Sequence, residues 1–265
     1  MDILDQMGRF LFLGTSASAG IPMIGCKCSV CRSPSPYNRR LRPSGLLRIR
    51  ERSFLIDVGP DFREQALKYK IDTLDALILT HTHYDHVAGI DELRVYYLQS
   101  QKKLPCLLSQ ESLRDLKKRY DYLFEPIGAG PTLSAQIAYT TLEGDMGEVE
   151  FLGVKFGYVS YFQGGAKVNG FRVGDFAYIS DIRDYDPSIF AGLKGVKTLV
   201  LSALREEASP LHLSLDEAVA FARTVGAQKT VLTHISHALD HSLINQKLPP
   251  AIQLGYDGLE LDVHL

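Results

Sequence analysis

Apolar and polar positions along the chain switch between two periods. Short apolar runs bounded by Gly, Pro, Asp or Ser recur as RFLFLG (9–14), SGLLRIR (44–50), SFLIDVG (53–59), LDALIL (74–79), PCLLS (105–109), KTLVLSAL (197–204) and KTVLT (229–233). Runs of this length and flanking chemistry predict strands. Positions 149–181 alternate as adjoining strands do. Helical spacing appears in DELRVYYLQ (91–99) and ESLRDLKKRYDYLF (111–124), and Asp61 is placed to cap a helix over DFREQALKYK. Ser214 and Glu217 form a capping box, so a helix is expected from Leu215 until Gly226 stops it. The stretch EPIGAGPTLSAQIAYTTLEGDMG (125–147) is turn-rich and weakly patterned, and reads as loop that lines a substrate cleft at most. No linker-like tract interrupts the chain, so one domain is expected across residues 1–265.

The strand LDALIL runs into THTHYDHVAG (80–89), which places His81, His83, Asp85 and His86 within six residues. A lone histidine would read as an ordinary polar residue. Three imidazoles and a carboxylate at one strand end read as a metal site, with a donor set that suits zinc, manganese or iron(II). A second set lies in a Gly-, Ser- and Pro-rich loop at about 20–42, where Cys26, Cys28 and Cys31 form CxCxxC. Three thiolates on a short turn fill three corners of a tetrahedral zinc site and require a fourth ligand. Packing as small apolar groups is the alternative, and the polar surroundings argue against it.

Seven arginines follow between positions 32 and 52. Arg39 and Arg40 are candidates for phosphate binding, because the guanidinium fork pairs bidentately with phosphate oxygens; a solvated hairpin face or support for the cysteine loop is the other reading. Asp57 ends a strand and either forms a turn or orients a ligand histidine. Cys106 sits inside an apolar strand and reads as a buried, inert thiol. His264 has no evident role.

Composition narrows the function classes. The 265 residues carry a formal net charge of −2, which argues against a nucleic-acid partner, since such proteins show a strongly basic face. No apolar run approaches the ~18 residues of a membrane span. The start, MDILDQMGRF, has early acids and no apolar core segment, so no signal peptide is expected and the protein is placed in the cytoplasm. In that compartment four cysteines, three of them clustered, read as metal ligands rather than disulfides.

THTHYDHVAG resembles the HxHxDH signature of the metallo-β-lactamase superfamily, Gly89 included. The resemblance implies an α/β fold, the αββα sandwich of two mixed sheets flanked by helices, with two metals at one edge and an activated water as nucleophile. Because the fold hosts many chemistries, it implies a site without a substrate. GTSASAGIPMIGCKCSVC, followed by NRR at 38–40, is similar to the branch of phosphodiesterases that open phosphoribosyl 1,2-cyclic phosphate, and LGYDGLELDV (254–263) resembles the family's terminal strand.

That resemblance implies a structural zinc on Cys26, Cys28, Cys31 and His237, with Asp240 and His241 in reserve. It implies His81 and His83 on a first catalytic metal, Asp85, His86 and His234 on a second, and Asp181 shared between them. His212 would face the substrate as general acid, a role that suits titration near neutral pH, and Asp85 would also take the nucleophile's proton. At one point the chain departs from the pattern. Relatives carry a His six or seven residues before a GF or GY pair, but here YFQGGAKVN precedes Gly170 and Phe171, and no His occurs between 86 and 212. Gln163 is the nearest replacement ligand, so the first metal is expected to bind weakly, with Gln163 or water completing it, or to be absent.

The expected activity is metal-dependent hydrolysis of a small or cyclic phosphodiester, with a structural Zn²⁺ and one or two catalytic ions (Mn²⁺, Zn²⁺ or Fe²⁺). A small-molecule substrate, no membrane partner and a homodimer complete the expectation. The rivals are a thioester or lactone hydrolase, an RNA-processing nuclease, and a mononuclear or non-catalytic metal-binding member of the fold.

Overall fold

Along β1 (Met7–Gly14) the side chains divide with a period of two: Phe10 and Phe12 join one apolar cluster, Leu11 and Leu13 another. A strand buried on both faces needs a layer on each side of it. In the computed structural model, which describes residues 7–124 and 134–265, two seven-stranded sheets provide the inner layers. The first contains β1, β2 (Ser44–Ile49), β3 (Arg52–Ile56), β4 (Ala76–Ile78), β5 (Leu104–Leu108), β6 (Ile137–Thr141) and β14 (Glu260–His264). The second contains β7 (Met146–Phe151), β8 (Val154–Gln163), β9 (Ala166–Val173), β10 (Phe176–Ile179), β11 (Thr198–Ser202), β12 (Lys229–Thr233) and β13 (Ile252–Leu254). Their orders are β14-β1-β2-β3-β4-β5-β6 and β13-β12-β11-β10-β9-β8-β7.

Phe12, Leu47 and Phe54 of the first sheet meet Phe156, Phe171, Tyr178 and Val200 of the second, and the Phe10 and Phe176 rings lie 4.9 Å apart. Helices cover the outer faces. Leu46, Leu55 and Leu77 pack with Phe62 and Leu116, from the helices Phe62–Lys68 and Gln110–Arg119. Leu199 and Leu201 pack with Ala218 and Phe221 of the helix Leu215–Val225. Burying each such side chain contributes roughly 1.5–3 kcal/mol. The result is the αββα sandwich.

Each sheet is antiparallel on one side and parallel on the other: β3, β4, β5 and β6 are parallel neighbours, as are β10, β11, β12 and β13. Carboxyl ends of parallel strands converge on one edge, which is where open α/β sheets place their ligands. The edges of the two sheets are tied there by the Asn169 N–H, which donates to the Thr80 carbonyl at 2.9 Å.

Several local expectations need refinement. The helix Leu215–Val225 has both halves of its capping box and a left-handed Gly226. The segment 91–99 instead divides into a 3₁₀ turn, Ile90–Leu93, and a helix, Arg94–Ser100. Asp61 stands at a helix start but does not cap it, because its carboxylate accepts from the Arg42 backbone N–H (2.8 Å) and pairs with the Arg42 guanidinium (2.7 Å). The weakly patterned 125–147 stretch contains an edge strand, β6, that periodicity did not reveal. Residues 125–133 of that stretch, read as lining a cleft, and residues 1–6 of the N-terminal stretch lie outside the described residues. Among the described residues no helix is long and apolar enough to cross a membrane.

Candidate metal centre

Five strand ends deliver the polar residues of the convergent edge. Asp57 follows β3, the stretch from His81 to His86 follows β4, Asp181 follows β10, His234 follows β12, and Gln163 ends β8. Asp57, Asp181 and His234 adopt left-handed backbone with φ of 60°, 55° and 56°. Outside glycine such geometry costs of order 1–3 kcal/mol and persists where the surroundings enforce it, characteristically at functional sites. The turn carrying His86 is drawn against the end of β3, with the Val58 N–H donating to His86 O and the Gly89 N–H to Val58 O. A Cβ on Gly89 would lie 2.2 Å from Gly59 O, so this approach requires glycine.

Four donors converge closely. His86 Nε2 lies 3.0 Å from Asp181 Oδ2 and 3.6 Å from Asp85 Oδ2, while His234 Nε2 lies 3.2 Å from Asp85 Oδ2 and 3.1 Å from Asp181 Oδ1. Ligands ~2.0–2.2 Å from a tetrahedral ion stand about this far apart. His86 Nε2 is buried and makes no hydrogen bond despite the nearby carboxylates, as expected of a ligand atom aimed at an ion. Behind it, His86 Nδ1 lies 2.7 Å from Asp57 Oδ2, and Thr80 donates to the same carboxylate through both its N–H and its hydroxyl. Of the two readings of Asp57, this geometry supports orientation of the histidine.

The electrostatics call for a cation. Burial disfavours ionised Asp181, yet His234 and His86 outweigh it and hold the carboxyl well below the usual range; His86 is raised well above its ordinary value by Asp181, Asp85 and Asp57, against the cost of burial. His234 is raised in the same way by Asp181 and Asp85. Three buried carboxylates thus hold protons on two imidazoles, and a divalent ion answers the same demand. The donors therefore fit a metal.

His81 and His83 stand beside this set, with His81 Nε2 2.9 Å from His83 Nδ1. His81 forms a trio of convergent donors with His86 and Asp181, but among the described residues His83 belongs to no such trio. Gln163 is buried, its Nε2 3.1 Å from Asp181 Oδ1 and 2.9 Å from His212 Nε2. His212 Nδ1 lies 3.3 Å from Asp181 Oδ1, and its ring stacks on His234. Burial, then His234, push His212 down to about 4, so the free imidazole is neutral at pH 7 rather than titrating near neutrality.

The cysteine loop closes a separate cluster. Cys26 Sγ and Cys28 Sγ each lie 3.4 Å from His237 Nδ1, and Cys31 completes a group whose four donors lie within 4.8 Å of one another. Hydrogen bonds from His237 and from the Cys31 backbone lower the Cys28 thiol to about 6, toward the thiolate that binds metal. Asp240 and His241 are not needed here. Asp240 caps the helix His241–Asn245 and accepts from Asn38, while His241 stacks on Tyr37.

Arg40 corrects the phosphate reading. It is 2% exposed and its fork is committed inward, to Thr15 Oγ1 (2.8 Å), Gly255 O (2.5 Å) and His241 Nδ1 (3.0 Å). It braces the cysteine loop against the C-terminal segment. Arg39 is exposed. Cys106 is fully buried, and burial pushes its thiol up, as expected of an inert cysteine.

A cleft of about 560 Å³ opens beside His81 and His83, walled by Phe162, Lys167, Arg119 and Glu111 among others. Lys167 is largely buried and faces Asp145 (2.5 Å) and Glu111 (3.6 Å); Arg119 donates to Thr82 O at 2.7 Å and pairs with Asp115. These wall residues were not singled out in the sequence, because they come from separate elements and none lies in a motif.

The beta-lactamase superfamily domain matches residues 52–235. A crystal structure of a diphosphatase from the PhnP family is 35% identical, covers 98% of both chains and superposes with a TM-score of 0.90. The octanoyltransferase of Porphyromonas gingivalis is 33% identical over 95% of this chain and 51% of its own length, so the chain spans about half of that relative. Zn²⁺-bound PqqB from Methylobacterium extorquens shares the fold at 17% identity and a TM-score of 0.76, covering 96% of this chain and all of its own. By the matched domain and the PhnP-family neighbour, the chain belongs to the beta-lactamase superfamily, in its PhnP-type branch.

Proposed function

We propose that the chain is a metal-dependent phosphodiesterase acting on a small or cyclic phosphodiester. The observation that carries this reading is the convergence of Asp85, His86, His234 and Asp181 in a chain similar over 98% of its length to a PhnP-family diphosphatase. These residues would hold a divalent cation, which when bound would supply Lewis acidity toward water and phosphate oxygens. Asp57 fixes the tautomer and angle of His86. Asp85, held ionised by His86 and His234 against burial, is placed to take up the nucleophile's proton. His212, whose Nδ1 faces Asp181 and whose Nε2 faces the Gln163 amide, stands beside the centre to orient the substrate rather than to supply a proton from its neutral ring. Lys167 is the cleft cation that meets an anionic substrate, in exchange for Asp145 and Glu111. The cysteine group, three sulfurs and one imidazole nitrogen, suits a closed structural zinc site.

The octanoyltransferase relative favours a second reading, hydrolysis of an acyl thioester by the same centre. One assay separates the two. The purified, metal-loaded chain is offered bis(4-nitrophenyl) phosphate, a small cyclic phosphodiester and an S-octanoyl thioester side by side. Phosphodiester turnover that disappears in Asp181→Ala is the expected result; turnover of the thioester alone, or of none of the three, overturns the proposal.

A further inference from the structure

The cleft beside His81 and His83 is polar except at one point. Lys167, Arg119, Glu111 and Asp145 face it, and among the described residues Phe162 is its one large apolar wall. The Phe162 side chain is 45% exposed, although its strand neighbours Tyr161 and Gln163 are buried. A single apolar side chain on a surface needs no explanation. A bare ring in a cleft that opens on the candidate metal centre has a use there.

The ring is held in place. Phe162 sits opposite Lys167 in the β8 and β9 pair; its N–H donates to Asp184 O (2.8 Å) and its carbonyl accepts from the Arg183 and Asp184 N–H groups (3.1 and 2.9 Å). With both backbone groups turned to that segment, Phe162 and Lys167 form a pair without hydrogen bonds between them, the kind whose side chains lie closest, with Cβ atoms about 4.5–5.5 Å apart. One ligand can touch the ring and the ammonium together. Because the backbone is fixed, packing on the ring costs little ordering. Across the cleft, Glu111 stands 3.6 Å from both Lys167 and Arg114 and makes no closer polar contact among the described residues, which leaves its carboxylate free to accept from a ligand.

A planar heterocycle on a sugar phosphate answers all three features. Its face stacks on Phe162, its amino or hydroxyl groups donate to Glu111, and the phosphate ester meets Lys167. A long alkyl chain does not, because a single ring without an apolar channel would leave most of the chain against charged side chains. We propose that Phe162 is a specificity-determining residue that selects phosphodiesters bearing a purine or pyrimidine ring, so that the substrate class is a nucleoside phosphodiester rather than a plain alkyl or sugar one. This rests on the phosphodiesterase reading above and adds which ester is accepted.

Adenosine 2′,3′-cyclic phosphate and methyl ribofuranoside 2,3-cyclic phosphate, which carries a methoxy group in place of the base, test it on the full, metal-loaded chain. The wild type is expected to show kcat/KM about 5- to 150-fold higher for the adenosine compound. Phe162→Ala should remove most of that preference, whereas Phe162→Tyr, which keeps a ring, should retain it. A second readout needs no turnover. The chain contains no Trp, so Phe162→Trp adds the only one, and adenosine 3′-monophosphate should quench its fluorescence at concentrations where ribose 5-phosphate does not. Equal kcat/KM for the two compounds in the wild type, or a preference that survives Phe162→Ala, would overturn the inference and leave the phosphodiesterase reading standing. Should neither compound be turned over, quenching decides: its presence upholds the ring site and its absence overturns it, while the phosphodiesterase reading stands or falls on the three-substrate assay above.

Discussion

The two donor clusters flank Ile235 and are built in opposite ways. Ile235 pairs with Ser16 of the cysteine-bearing segment; His234 lies on one side of it and turns into the centre, while His237 lies beyond it and turns to Cys26 and Cys28. The cysteine group takes three of its four donors from one short loop, closes around itself and leaves Cys26 and Cys28 half-buried. The centre draws buried carboxylates and imidazoles from separate strand ends, backs His86 with Asp57, and opens on a cleft at His81 and His83. A closed, sulfur-rich set holds structure, whereas a mixed nitrogen and oxygen set with an open side leaves room for a reacting group.

Substitutions that strike one cluster and spare the other can break this contrast. Asp181→Ala removes the carboxylate that every imidazole of the compact set approaches, and a loss of several kcal/mol of transition-state stabilisation, roughly 10³-fold in kcat, is expected in the phosphodiester assay with the fold intact by circular dichroism. Arg40→Leu strikes the brace. It leaves Thr15 Oγ1, Gly255 O and His241 without their partner, and should cost roughly 2–4 kcal/mol in denaturant unfolding, whereas Arg39→Ala on the exposed side should stay within ~0.5 kcal/mol. Equal effects would show that Arg40 is not a brace. Asp57→Asn weakens orientation of His86 while leaving the cysteine group untouched, so metal affinity at the centre should fall about 10–100-fold with the other ion retained.

The smallest effect concerns pH. Burial and Arg40 lower His241 to about 4 from its ordinary 6.5, so the fold binds this proton less tightly than the unfolded chain does. The resulting stability is complete above pH 6.5 and is lost as pH falls toward 4. Melting temperatures of wild type and His241→Gln, whose amide oxygen can accept from Arg40, should therefore converge as the pH is lowered through that window. A constant difference would contradict the assignment.

Much of this arrangement is legible in the chain because local chemistry and global fold agree. The apolar run RFLFLG, the capping box at Ser214 and Glu217, and the His81–His86 spacing each mark their place without tertiary information. What stayed hidden depends on distant partners. Arg40 reads as a phosphate ligand until Gly255 and His241, more than 200 positions away, are seen to take up its fork. Asp61 reads as a cap until Arg42 claims its carboxylate. β6 lies at a sheet edge, where one-sided burial leaves a weak pattern, and Lys167 and Arg119 gain meaning only from the cleft they share.

Anomalous scattering from crystals of the zinc-loaded chain tests the central contrast most directly, because it locates each ion rather than counting it. One peak is expected among Cys26, Cys28, Cys31 and His237, and a second among Asp85, His86, Asp181 and His234. A peak at the cysteine group alone, with Asp181 ordered and hydrogen-bonded only to its imidazole neighbours, would contradict the account.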